Sequence, residues 1–131
     1  MLNYHEYNAN PKNKKTPDCI TRALSNVLDI SWDDALKLQF ECALKTKYAI
    51  GSNQVYDRIL KEHGYIKMKQ PRKEDNRKYK LAEMDKVLKL SETKNKVFVN
   101  INHHCTVING NTVEDIWDCR EWTVRNYWVK E

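Results

Sequence analysis

Three kinds of side chain in this 131-residue chain could carry covalent chemistry together: the thiol of Cys19, the adjacent imidazoles of His103 and His104, and the carboxylates of Asp115 and Asp118. A thiol attacks a carbonyl carbon as its thiolate, and it needs an imidazole to move the proton. The imidazole needs an acceptor on its second nitrogen to hold one tautomer. Cys19 follows Thr16-Pro17-Asp18: a hydroxyl for the N-cap, a proline suited to the first helical position and a first-turn acid. This predicts a helix from Thr16 with Cys19 third in it, where unpaired N–H groups and the helix dipole favour the thiolate. Arg22, one turn on, adds positive charge that Asp18 can neutralise.

The imidazoles must come from a different element. Val97-Phe98-Val99-Asn100-Ile101 alternates as a strand does, and His103 to Ile108 continues it or begins a second one. Asn109-Gly110 is a strong hairpin signal, with Asn111 to Trp117 as the return strand and Trp122 to Val129 as a further one. A two-residue Asn109-Gly110 turn places His104 opposite Asp115 on one face, with His103 on the other. A three-residue loop ending at Gly110 pairs His103 with Asp115 instead. The register leaves both histidines open, with Asp118 as the alternate acid.

Ahead of these strands the periodicity is helical. Ile20, Ala23, Leu24, Val27 and Leu28 form the apolar stripe of the first helix. Ser31 and Asp34 predict the cap of a second, which turns Ala35, Leu38, Cys42 and Ala43 inward and ends near Lys45. A third helix runs from Gly51-Ser52-Asn53 to His63, with Gly64 as its left-handed stop. Tyr65 to Met68 reads as a short strand and Leu81 to Leu90 as a fourth helix. The expectation is one α+β domain over 1–131, with an irregular or extended arm (1–15), a mainly helical part (16–90) and an antiparallel sheet (97–129).

Thr16-Pro17-Asp18-Cys19 with Thr21-Arg22-Ala23-Leu24 behind it, His103-His104 before Asn109-Gly110, and Asp115-Ile116-Trp117-Asp118 together resemble a papain-like, cysteine-protease-fold family of small bacteriophage and Firmicutes proteins. The likeness runs from Thr16 to Trp128. Asp115-Ile116-Trp117 is also similar to the Asn-Ser-Trp of papain-type enzymes, in which the Asn orients the histidine and the Trp shields that bond. The resemblance implies a papain-like fold and a thiol hydrolase of peptidase, isopeptidase or amidase type, with Cys19 as nucleophile, His104 as general base and Asp115 as orienting acid. It further implies that Asn13, six residues before the cysteine, stands where such enzymes carry an oxyanion-donating Gln, with the Cys19 N–H as second donor. The Asp-Cys start and the His-to-Gly spacing are similar to bacterial NlpC-type cell-wall peptidases as well, where Asp115 fits the polar third group.

Composition narrows the partners. Twenty-three Lys and Arg stand against 18 Asp and Glu, and the excess is local: between Ile66 and Lys80 seven cations face two anions, which matches the whole chain's net charge of +5. That segment predicts a solvated loop or a surface for an acidic partner, nucleic acid included, although only Tyr79 interrupts it as a stacking aromatic. A mean hydropathy of −0.82 and the lack of a long apolar run predict no transmembrane helix, and Met1 to Glu6 lacks the basic-then-apolar pattern of a secretory signal. A cytoplasmic protein is expected, in the host cytoplasm if phage-encoded. None of Cys19, Cys42, Cys105 and Cys119 forms a Cys-x-x-Cys pair, so reduced thiols are expected, with Cys42, Cys105 and Cys119 as buried apolar residues. Zinc held by His103, Cys105, Cys119 and an acid is disfavoured because neighbouring strand positions face apart, and no cofactor is expected. The expected partner is a protein or peptide substrate. The rival expectation is a phage binding protein that keeps the fold and blocks a host or defence protein.

Overall fold

The computed structural model describes residues 1–131 as three α-helices, a short 3-10 helix and one six-stranded sheet, a mixed α+β arrangement. The helices are α1 (Cys19–Leu28), α2 (Trp32–Thr46) and α3 (Asn53–Glu62). The strands are β1 (Asn3–Glu6), β2 (Tyr65–Met68), β3 (Val97–Ile101), β4 (His104–Asn109), β5 (Thr112–Asp115) and β6 (Val124–Lys130), in the order β1-β5-β4-β3-β6-β2. All neighbours are antiparallel except β1 and β5, which run parallel.

Strand alternation sends side chains to two cores. On the helix side, Leu24, Val55 and Leu60 pack with Cys105, Val107, Phe98 and Trp128. Tyr56, Phe98 and Trp128 there form a mutual aromatic cluster with centroids 5.2 to 5.5 Å apart, the tilted and edge-on contacts aromatic rings prefer. On the opposite face, Leu2, Leu81 and Met84 cover Val99, Ile101, Ile108 and Val113.

Local chemistry explains most of the elements. The Ser31 hydroxyl accepts from the Asp34 N–H at 3.0 Å and starts α2, and Gly64 takes φ 85° just past α3, where a side chain would be strained. Two expectations are corrected at the helices. The helix expected from Thr16 begins at Cys19, because the Asp18 N–H closes a turn on the Thr16 carbonyl (2.7 Å) and Asp18 becomes the N-cap. The helix expected over Leu81–Leu90 is a 3-10 helix of six residues, Leu81–Lys86, whose three-residue repeat stacks Leu81 over Met84 against the sheet. Within α2, Gln39 is buried and donates to the Thr21 hydroxyl at 2.8 Å, a polar tie between helices that the apolar pattern hid.

The strands carry corrections too. Part of the arm is ordered as β1, and buried Leu2 anchors it. The sheet expected to be antiparallel therefore gains a parallel edge. The return strand stops at Asp115 rather than Trp117, and the last strand begins at Val124 rather than Trp122. Asn109 pairs with Thr112, so the turn is Gly110–Asn111 and the register is shifted by two from the expected one. A shift of two preserves the face of every side chain.

Candidate active site

Cys19 is the first residue of α1, which packs on β4. Its N–H therefore belongs to the unpaired set at a helix start, and the positive end of the helix dipole lies at the sulfur. The Cys105 thiol and the His104 imidazole are the two side chains that favour its thiolate. Cys105, opposed by burial and reinforced by His104, brings the Cys19 thiol down to about 4. Cys19 is half-buried and borders a groove of about 260 Å³ walled by Ile20, Trp32, Leu36 and Ile50.

His104 opens β4. Its Nε2 meets Asp115 Oδ2 at 2.6 Å, which leaves Nδ1 as the ring nitrogen free to face the sulfur. Burial disfavours the imidazolium, but the bonds to Asp115, Cys119 and Cys19 overcome it and raise the group to about 11. Burial likewise opposes the Asp115 carboxylate, and His104 outweighs it, so Asp115 stays ionised below its ordinary range. At neutral pH the three groups are a thiolate, an imidazolium and a carboxylate.

The route by which His104 and Asp115 meet differs from the one expected. The β4–β5 ladder ends at Val107 and Glu114, and continuing its register puts Asp115 across from Thr106 rather than His104. His104 is Thr106's neighbour on the same face, so the hydrogen bond runs diagonally. The N-terminal strand holds Asp115 in place: Glu6 pairs with it, and the Tyr7 N–H and Tyr4 hydroxyl donate to its carbonyl at 2.9 and 3.1 Å.

Around these groups lie Arg22, Asp18 and Trp117, which the sequence had singled out, and Asn10, Trp32 and Trp122, which were not legible as site residues. Arg22 is buried, its Nε 3.1 Å from Asp18 Oδ1 and its Nη2 3.9 Å from Asp115 Oδ1, so one guanidinium links the helix start to the acid. Asp18 Oδ2 accepts from Trp32 Nε1 (2.9 Å) and Asn10 Nδ2 (3.1 Å), which ties its charge away from the sulfur. Trp117 packs on the His104 ring at 5.0 Å and Trp122 packs on Trp117 at 5.5 Å. Buried Cys119 donates to Asp115 Oδ2 at 3.7 Å, and burial pushes its thiol up. His104, Asp115 and Cys119 thus bring three metal-ligand atom types within 4.8 Å of one another, a different set from the zinc set weighed on sequence. In this structure those atoms bond to each other.

The alternates fall elsewhere. His103 is exposed at φ 55° in the turn before β4, not on the strand, because only a turn lets Ile101 pair directly with His104. Asp118 is partly exposed and bonds Arg120 at 2.8 Å. Asn13 is exposed in a turn of the arm at φ 52°, its amide oxygen accepting from Asn8, and Tyr7 and Ala9 are the arm residues that line the small cavity at Cys19. No family model, curated protein or solved structure matches this chain.

In the basic segment, Lys73 bonds Glu83 (2.8 Å), Arg77 bonds Asp75 (2.6 Å) and Lys80 bonds Glu121 (3.0 Å), so three of its seven cations already have acids. Nucleic-acid binding through it is therefore expected to be weak, micromolar or poorer at physiological salt, with a log–log salt slope of about four or less. Fluorescence anisotropy against a labelled oligonucleotide measures both, and nanomolar binding with a slope near seven contradicts the expectation. No helix is long and apolar enough to cross a membrane.

Proposed function

We propose that the chain is a papain-like thiol hydrolase acting on a peptide, isopeptide or simple amide bond. The observation that carries this reading is the 2.6 Å contact of His104 Nε2 with Asp115 Oδ2, made by an imidazole that also favours the thiolate of Cys19 at the mouth of a groove. The thiolate of Cys19 attacks the carbonyl carbon, and the oxyanion forms beside the Cys19 N–H at the head of α1. His104 Nδ1–H passes its proton to the leaving nitrogen, the C–N bond breaks and a thioester remains. His104, now neutral, removes a proton from water. The resulting attack releases the acid and restores the thiolate–imidazolium pair. Asp115 keeps the proton on Nε2 throughout, and Trp117 covers one side of the imidazole.

The apolar walls of the groove suit a substrate with an aliphatic or aromatic side chain on the acyl side. The experiment is a panel of peptide, lysine-linked isopeptide and simple amide substrates with chromogenic leaving groups, read with the wild-type chain and Cys19→Ala. The expected result is release by the wild type and none above background by the variant. Equal release by both, or release by neither, removes the reading.

A further inference from the structure

Of the four thiols, two share a cavity. Cys105 follows His104 on β4 but points to the helix face, as strand alternation requires, and there it lies under α1, which packs on β4 with Cys19 at its start. Both side chains line one small cavity between helix and sheet. The remaining thiols are engaged separately: Cys42 with the Val55 carbonyl at 3.8 Å inside the helical layer, and Cys119 with Asp115 at 3.7 Å.

The two sulfurs differ in access. Cys19 is half-buried beside an open groove, whereas Cys105 is 4% exposed and held among Asn100, Tyr56 and the helix-side core. A soluble oxidant therefore meets Cys19 first, and Cys105 is the thiol that shares its cavity. We propose that Cys19 and Cys105 form a reversible disulfide driven by a hydroperoxide, with Cys19 as the oxidised thiol and Cys105 as the resolving one.

The chemistry balances in two steps. The Cys19 thiolate attacks one oxygen of hydrogen peroxide, the O–O bond breaks, hydroxide leaves and Cys19 becomes a sulfenic acid. The Cys105 sulfur then attacks the Cys19 sulfur. An S–S bond of about 2.05 Å forms, and the hydroxyl departs with the Cys105 proton as water. One molecule of peroxide is reduced and two thiols are oxidised. In the disulfide Cys19 has no free sulfur for a carbonyl, so the site is off until a dithiol or glutathione reduces it, and Cys19 is kept from the irreversible sulfinic state. The inference needs a reactive Cys19 but no hydrolysis.

The test is a several-fold molar excess of hydrogen peroxide on the full chain at neutral pH, followed by intact mass and non-reducing peptide mapping. The expected result is a loss of two hydrogen atoms, a joined peptide pair containing Cys19 and Cys105, complete loss of Cys19 alkylation, and recovery of all three on adding dithiothreitol. In Cys105→Ser, Cys19 is expected to gain two or three oxygens that dithiothreitol does not remove. Wild-type protein that takes up those oxygens on Cys19 at the same dose overturns the proposal, as does a bond joining any other cysteines. Iodoacetamide labelling near pH 5, before oxidation, separates the two readings. Rapid labelling of Cys19 without a disulfide removes this inference alone, whereas labelling at an ordinary thiol's rate removes the proposed hydrolase.

Discussion

Alkylation of Cys19 by iodoacetamide is expected to proceed at a nearly constant rate from about pH 5 to pH 8, where an unperturbed cysteine rises about tenfold per unit. The sign follows from the direction of the shift. An acid lowered to about 4 is ionised above that pH, so the nucleophile is already present on the acid side of neutrality. A low-pKa thiolate is also a weaker nucleophile per molecule, which offsets much of the gain. The rate is therefore similar to an ordinary thiol's or a few-fold lower at neutral pH, and becomes roughly 30-fold higher near pH 5. The profile carries the test rather than the neutral rate. His104→Ala removes one of the two donors to the sulfur and is expected to restore part of the ordinary rise. A Cys19 rate that climbs tenfold per unit through pH 8 in the wild type leaves no activated thiol to explain.

The second large effect is at Asp115. This carboxylate is buried, accepts from His104 at 2.6 Å and from the Ile116 N–H at 2.7 Å, and faces Arg22 at 3.9 Å. Asp115→Ala leaves a buried imidazolium and a buried guanidinium without their shared anion. Breaking a buried pair from one side costs roughly 3–5 kcal/mol, and losing the orienting acceptor lowers hydrolysis by about 10²- to 10⁴-fold. Asp115→Asn keeps an acceptor for Nε2–H but not the charge. It is expected to recover much of the rate and to lower the pH at which His104 deprotonates. Urea denaturation and the pH profile of the hydrolysis rate read these effects separately. An Asp115→Ala protein with wild-type rate and stability shows that the contact is incidental.

The two groups that define the site were legible because each depends on local rules. A proline and an acid just ahead of an apolar stripe mark a helix start, so the position of Cys19 could be read to within two residues. Hairpin parity is robust in the same way: the register of β4 on β5 is off by two, yet His104 and Asp115 share a face because two is the side-chain period. The choice between the histidines was open on sequence because it depended on the turn length; the two-residue Gly110–Asn111 turn puts His104 on the face of Asp115, and His103 falls in the turn before β4.

Long-range placement was not legible. Asn-Tyr-His-Glu carries no alternation that marks it as β1, and its pairing with Thr112–Asp115 is a contact between the two ends of the chain. Neither the Asp18 bonds to Trp32 and Asn10 nor the reach of Arg22 to Asp115 has a local pattern. Cys105 is the clearest instance. Alternation assigned it the face opposite His104, which it occupies, but only the packing of α1 on β4 brings the Cys19 sulfur to it. The fourth helix was misjudged because Leu81, Met84, Val87 and Leu88 fit a helical stripe, although the turn that forms is the tighter 3-10 one.

A Cys19 thiolate paired with a His104 imidazolium at neutral pH is measured directly by the nitrogen chemical shifts of the His104 ring. With the ring held protonated up to about 11, both nitrogens are expected at imidazolium positions at pH 7, with no transition near 6.5. A neutral His104 ring at pH 7, titrating near 6.5 as a free histidine does, contradicts the account.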